Sequence, residues 1–173
     1  FMVIPDPSSA KAALMSNNID LLPNVSASDA QELKTTPGVQ ISFSPIMAIC
    51  GLLFQTNDPL LKDVRIRQAI AHSLDYGQMV NALSNGTSEP NNSAIAQTSP
   101  FYSATAKQGY RYDPQLAQRL LKEAGYHGQP IKMIVNKRYS QMFDMGLLSQ
   151  AMAVASGLNI QMETLEWGTQ LER

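Results

Sequence analysis

The sequence predicts an α/β fold, an open mixed sheet flanked by helices. Helical stretches and short strand-sized apolar runs alternate along the second half, the order that builds open α/β sheets. Most helical stretches open on a residue able to cap a helix, and several stop at Gly or Asn. No apolar run approaches the roughly 20 residues that span a bilayer. The longest is IMAICGLLF, which has the length of a strand.

Taken in order, VIPDPSSAKAALMSNNIDLL opens as a strand ending near Pro5. Asp6 or Ser8 caps a helix through Met15, the side-chain oxygen accepting from a free first-turn N–H, and Asn17 and Asn18 suit a left-handed end. A short strand follows at 19–22. SASDAQELK is a second short helix capped by Ser26 or Ser28, with Asp29 at its positive end. Pro37 and Gly38 turn the chain. VQISFSP alternates as a half-buried strand does, and IMAICGLLF suits a strand covered on both faces. After the loop QTNDPLLKD, Asp63 caps VRIRQAIAHSL, whose Ile66, Ala69, Ile70 and Ser73 share one face. Asp75 caps the next helix, with Met79, Val80 and Leu83 inward.

The stretch 84–108 is rich in Asn, Ser, Thr, Pro and Ala and is longer than ordinary connections. Ile95, Phe101 and Tyr102 are its expected anchors. Asp113 and Pro114 start another helix, with Leu116, Ala117, Leu120, Leu121 and Ala124 apolar and Gly125 as its stop. IKMIVN is a strand. A longer helix at 140–156 turns Met142, Met145, Leu148 and Met152 to one face, widened by Leu147 and Ala151, and Gly157 ends it. NIQMETLEW is the last strand. The chain enters directly on a strand and stops in the first turn of a helix, so both ends read as cuts through a longer protein.

Composition excludes several function classes. The 173 residues carry a formal net charge of -1, against the basic surface that nucleic acid or anionic lipid favours. The aromatic residues are dispersed and build no stacking platform. Cys50 stands alone and is expected to be buried, so neither a disulfide framework nor a thiolate metal site is available. Two scattered histidines are poor material for a metal centre. His72 and Asp75 lie close enough on one helix to touch, the only hint of a catalytic pair, and a surface or interlobe His is the plainer reading. His127 falls in an exposed turn. No G-x-S-x-G, P-loop or G-x-G-x-x-G is present. Arg65 and Arg67 fit salt bridges, with Asp63 or Glu123, better than an anionic ligand. Lys137 and Arg138 follow a strand and precede a helix start, a place that binds anions, although a surface loop is the plainer reading.

Several phrases in order carry a family resemblance. They are IPDPSSAKAALMSNNIDLL, PGVQISFSP leading to GLLFQTNDPLLKDVRIRQAIAHSLD, YDPQLAQRLLKEAGY with IKMIVN, and LNIQMETLEWGTQLER. Together they resemble the extracellular solute-binding proteins of the peptide/nickel (oligopeptide- and dipeptide-binding) family of ABC importers, over essentially the whole chain. Asn17-Asn18 stands where the family's turn often carries Gly, and Gln55 where Asn is common.

The resemblance implies a type II periplasmic-binding-protein-like lobe, incomplete here. Residues 1–53 would be the end of the first lobe with crossing strands, and 54–173 the first part of the second, with a hinge near 52–55. It implies binding without catalysis or cofactor. Hinge closure on a peptide or other small solute would precede delivery to an ABC permease in the inner membrane. The protein would be a monomer, periplasmic or extracellular and membrane-associated. The ligand-binding residues implied at the crossing are Met47, Gly51, Leu52, Leu53 and Gln55, with strand-core packing the plainer role for Leu52 and Leu53. Ligand identity stays open among oligopeptide, dipeptide, nickel chelate, haem and sugar. The alternative is a stand-alone interaction module built on the same lobe without transport.

Overall fold

The computed structural model describes residues 1–44, 47–84, 86–91, 93–103, 105 and 109–172. The chain divides into two compact units, Phe1–Pro45 and Ile46–Arg173.

The first unit holds two helices, α1 (Pro7–Met15) and α2 (Ala27–Lys34). Of the two caps open at the start of α1, Asp6 is used: its Oδ1 accepts from the backbone N–H of Ser9 at 2.8 Å. Ser26 caps α2 by accepting from Asp29 N at 3.1 Å. Asn17 adopts the left-handed conformation with φ 58°, which Asn tolerates better than most side chains. Ala10, Ala30 and Leu33 are buried. Lys11 Nζ of α1 reaches Asp29 Oδ1 and Glu32 Oε2 of α2, each at 2.7 Å.

The second unit holds α3 (Val64–Ser73), α4 (Tyr76–Ser84), α5 (Pro114–Glu123), β1 (Ile131–Val135), α6 (Ser140–Ala155), β2 (Ile160–Thr164) and α7 (Trp167–Leu171). β1 and β2 form a parallel pair in the register Ile131↔Ile160 to Val135↔Thr164, with α6 as the crossover between them. The α/β architecture therefore stands, and the expected mixed sheet takes the form of two parallel strands among the described residues. Ile66, Ala69 and Ile70 of α3 meet Ala117 and Leu121 of α5 and the sheet residues Ile131 and Ile160 in one core. The face expected for α3 is the buried one, Ser73 included. Asp63 and Asp113 cap α3 and α5 through Arg65 N at 2.9 Å and Leu116 N at 2.8 Å.

Arg65 makes the expected ion pair, its Nη2 lying 2.6 Å from Asp63 Oδ2. Its Nη1 donates to the backbone carbonyl of Glu123 at 2.7 Å, tying α3 to the end of α5. Arg67 departs from expectation: it donates to the carbonyls of Leu61 and Lys62 instead of pairing with a carboxylate.

Three further expectations are corrected. The strands read near Val3, at 19–22, in VQISFSP and in IMAICGLLF do not form among the described residues; Pro45 and Ile46, where the last two meet, lie outside them. A strand is defined by its ladder, and the backbone groups of residues 47–54 find no backbone partner among the described residues. Second, α6 is rotated from its expected seat. Gly146, Ser149 and Ala153 are the buried residues, Met142, Met145, Leu148 and Met152 flank them half-buried, and Leu147 and Ala151 are exposed. Small side chains let the helix axis approach the sheet, which bulky ones would hold off. Third, in the long connection Ile95 and Phe101 are exposed, Phe101 to 81%, so of the three expected anchors only Tyr102 is half-buried. The expected end of that loop, Gln108, lies outside the described residues.

Candidate ligand-binding surfaces

The segment 47–55 is neither helix nor strand, and residues 47–54 make no backbone–backbone hydrogen bond among the described residues. Leu52 and Phe54 pack against the core of the second unit. Their neighbours of opposite parity turn away: Met47 is 71% and Leu53 99% exposed, and a Cβ added to Gly51 would meet open space. Gln55 is exposed, and its Oε1 lies 3.4 Å from Asn57 N, a long contact that leaves the amide available. The sequence-expected site residues thus form one accessible strip, with Leu52 as its anchor. A pocket of about 340 Å³ lies elsewhere, between α5, the turn after it and the end of α6, against Lys122, Tyr126, His127 and Ser156.

Cys50, expected to be buried, is exposed on this strip, because only Leu52 and Phe54 are drawn into the core. His72 and Asp75 have separate partners. His72 Nδ1 lies 2.7 Å from the carbonyl of Arg111, which can only accept, so the ring carries its proton there. Its ring stands edge-on to Tyr110, with centroids 5.2 Å apart. Asp75 Oδ1 accepts from Gln78 N at 3.0 Å at the start of α4. Both residues hold the chain together at the junction of α3 and α4. Among the described residues no group of three or more His, Cys, Asp or Glu side chains is placed to hold a metal ion.

A second surface lies beyond the carboxyl ends of β1 and β2, where open α/β sheets place ligands. Leu165 N donates to Val135 O at 2.9 Å, keeping the two chains together past the last register pair. After β1 come buried Asn136 and then Lys137, Arg138 and Tyr139, all exposed, which lead into α6. After β2 come Glu166 and Trp167, the first residue of α7. The Tyr139 and Trp167 rings meet edge-to-face with centroids 6.2 Å apart. Arg138 Cζ lies 5.8 Å from the Tyr139 ring centroid, and Lys137 Nζ lies 5.3 Å from that of Phe143. Tyr139 provides no side-chain cap for α6, so the positive end of a 16-residue helix opens beside two cations. Asn136 joins the two sides. Its Oδ1 accepts from Arg138 N at 3.1 Å and its Nδ2 donates to Gln170 Oε1 of α7 at 2.7 Å. Of this group, sequence reasoning weighed only Lys137 and Arg138. The missed signal was Asn136-Lys137-Arg138-Tyr139 after one strand and Glu166-Trp167 after the next, which parallel pairing brings to one edge.

The model of the bacterial extracellular solute-binding proteins, family 5 (middle) matches residues 1–173, the whole chain. The chain belongs to this family. Family 5 proteins are solute-binding proteins and not enzymes. The dipeptide-binding protein of Escherichia coli K12 is 26% identical over 181 residues, covering 100% of this chain and 33% of that protein. Haem-binding protein A of Haemophilus influenzae is 28% identical over 124 residues, covering 72% of this chain and 22% of that protein. The periplasmic binding protein DppA of Helicobacter pylori, solved with the peptide STSA, superposes with a TM-score of 0.88 at 23% identity, over 99% of this chain and 33% of that one. That likeness shows the fold, an α/β lobe of the type II periplasmic-binding-protein class. The family 5 chain described here thus spans about a third of the length of these relatives.

Proposed function

We propose that this chain forms part of the substrate-binding component of an ABC import system, taking a peptide or related small solute and passing it to a membrane permease. The observation that carries the reading is the family match over residues 1–173. Relatives whose names specify dipeptide and haem, and a similar fold solved with a peptide, support a cargo of this class. Residues 1–53 are assigned to the end of one lobe and 54–173 to the start of the next, with the hinge near 52–55. Closure about such a hinge captures ligand. The protein acts outside the cytoplasmic membrane as a monomer; no helix among the described residues is long and apolar enough to cross a membrane.

Two surfaces are assigned to the ligand. At the crossing, Met47, Gly51, Leu52, Leu53 and Gln55 offer apolar side chains and one amide, and the backbone of 47–54, without a backbone partner among the described residues, suits a peptide main chain. At the strand ends, Lys137 and Arg138 beside the open end of α6 suit a carboxylate, and Tyr139 and Trp167 an apolar or planar group.

The test is a thermal-shift panel of dipeptides, longer peptides, haem and nickel chelates on the intact protein. Stabilisation by one class supports the importer reading and names the cargo. A folded protein that no class stabilises favours the alternative, an interaction module without transport, for which the exposed Met47, Ile49 and Leu53 supply the apolar surface.

A further inference from the structure

We propose that Asn136 and Gln170 are positioning residues that lock the basic turn after β1 to α7, so that Arg138 and Trp167 meet a ligand as one preset unit. The proposal rests on the assignment of the strand ends to ligand. Asn136 is only 1% exposed, yet it is polar and follows an apolar strand. A buried amide is costly unless bonded, and this one is bonded in two directions. Its Oδ1 takes the N–H of Arg138, which fixes the path of the backbone carrying both cations. Its Nδ2 reaches across 34 residues of sequence to Gln170 Oε1, one turn along α7 from Trp167.

α7 has five residues and no side-chain cap, so little of its own holds it in place. Contacts across this edge among the described residues include Leu165 N to Val135 O, the Tyr139–Trp167 ring pair and the Asn136–Gln170 bond. Of these three, the last joins the turn and the helix through a directional side-chain hydrogen bond. A binding group held in advance loses less entropy on meeting its ligand, so a fixed Arg138–Trp167 spacing raises affinity without touching cargo.

Trp167 is the single tryptophan of these 173 residues, and a Trp167→Phe control assigns the emission change to this edge. The experiment titrates an equimolar mixture of dipeptides and tripeptides into the intact protein, following Trp167 fluorescence, with thermal melting of each variant in parallel. Gln170→Met removes the acceptor at similar side-chain length, and Gln170→Glu keeps an acceptor for Asn136. Expected is a half-saturation about fivefold higher in Gln170→Met, the scale of one hydrogen bond, with near-wild-type behaviour restored in Gln170→Glu. A purely structural role would lower the melting temperature of Gln170→Met while leaving its half-saturation at the wild-type value, and that result overturns the proposal. So does equal titration of all three proteins, which leaves the ligand surface standing. A wild-type protein that peptides stabilise thermally without changing Trp167 emission removes the strand ends as a ligand surface, and the positioning role with it. Absence of any peptide effect on the wild type overturns the peptide cargo, and the positioning role for it, while haem or nickel chelates remain as cargo classes for the importer reading.

Discussion

Gly146 of α6 sits directly against Val135 of β1: a Cβ built on the glycine would come within 2.7 Å of Val135 Cγ1 and 3.5 Å of Met162 Sδ. Exchanging a helical Gly for Ala ordinarily stabilises by about 0.8–1 kcal/mol. Here overpacking opposes it, at about 1–3 kcal/mol, and the obstructing atom belongs to a β-branched side chain with little rotamer freedom. The clash wins. Gly146→Ala is expected to lower stability by about 1 kcal/mol, read as a lower urea midpoint. Gly146→Ala with Val135→Ala should show coupling, because the second change removes the atom the new methyl strikes. A raised midpoint in the single variant would show that α6 does not approach the sheet this closely.

Asp63 joins a cap to an ion pair. Hydrogen bonds from the Arg65 side chain and backbone hold its carboxyl down to about 2. A carboxylate depressed in the folded state contributes stability that is present above its unfolded value, about 3.9, and is lost as pH falls through the folded value. The contribution therefore fades on acidification between those two values and is constant near neutrality. Asp63→Asn keeps a capping oxygen and should flatten this acid limb. Urea midpoints measured from about pH 5 down to about pH 2 check it; the same slope in both proteins would place the titration elsewhere.

The cap of α5 is a cleaner single interaction. Asp113 Oδ1 accepts from Leu116 N at 2.8 Å, while its backbone N–H donates to the carbonyl of His72 at 2.8 Å. Asp113→Ala removes the first bond and leaves the second. Expected is a loss of about 1 kcal/mol, with Asp113→Asn close to wild type. Equal loss in both variants would mean the carboxylate's charge, not its capping geometry, matters at this position.

The residues that cap and fill helices were the readable part of this sequence, because their signals are local. Asp63 and Asp113 announce their helices within a few residues, and Ile66, Ala69, Ile70 and Ser73 mark the buried face of α3 by spacing alone. The extended segments failed for the opposite reason. VQISFSP and IMAICGLLF have strand composition, but a ladder needs a second chain segment that composition does not specify. The seat of α6 was misread because hydrophobicity points to Met142, Met145 and Met152, while close approach to the sheet selects Gly146 and Ala153. Of the strand-end surface, Lys137 and Arg138 were visible as a basic pair. The meeting of the adjacent Tyr139 with Trp167 depends on the β1–β2 register, which joins residues about thirty apart.

At the opposite end of the sheet, the Tyr126 hydroxyl and the Asn159 side chain, whose Nδ2 donates to Gly128 O at 2.9 Å, both tie the two entering turns. Tyr126, 9% exposed, donates from its OH to Gln129 O at 2.6 Å and accepts from Asn159 N at 2.8 Å. That single oxygen fastens the turn entering β1 to the turn entering β2, and Ile131 N adds a bond to Asn159 O at 2.8 Å. Tyr126→Phe keeps the ring in the core and removes only the hydroxyl, leaving one donor and one acceptor unpaired in partly buried surroundings. The expected loss is about 1–2 kcal/mol. Stability alone does not distinguish a lost stitch from loosened packing. Hydrogen exchange does: the Asn159 amide should lose its protection in Tyr126→Phe, while the Ile131 amide, whose acceptor is backbone, should keep most of its own. Unchanged exchange at Asn159 would show that the parallel pair is held at this end by its ladder and the Asn159–Gly128 bond and not by Tyr126.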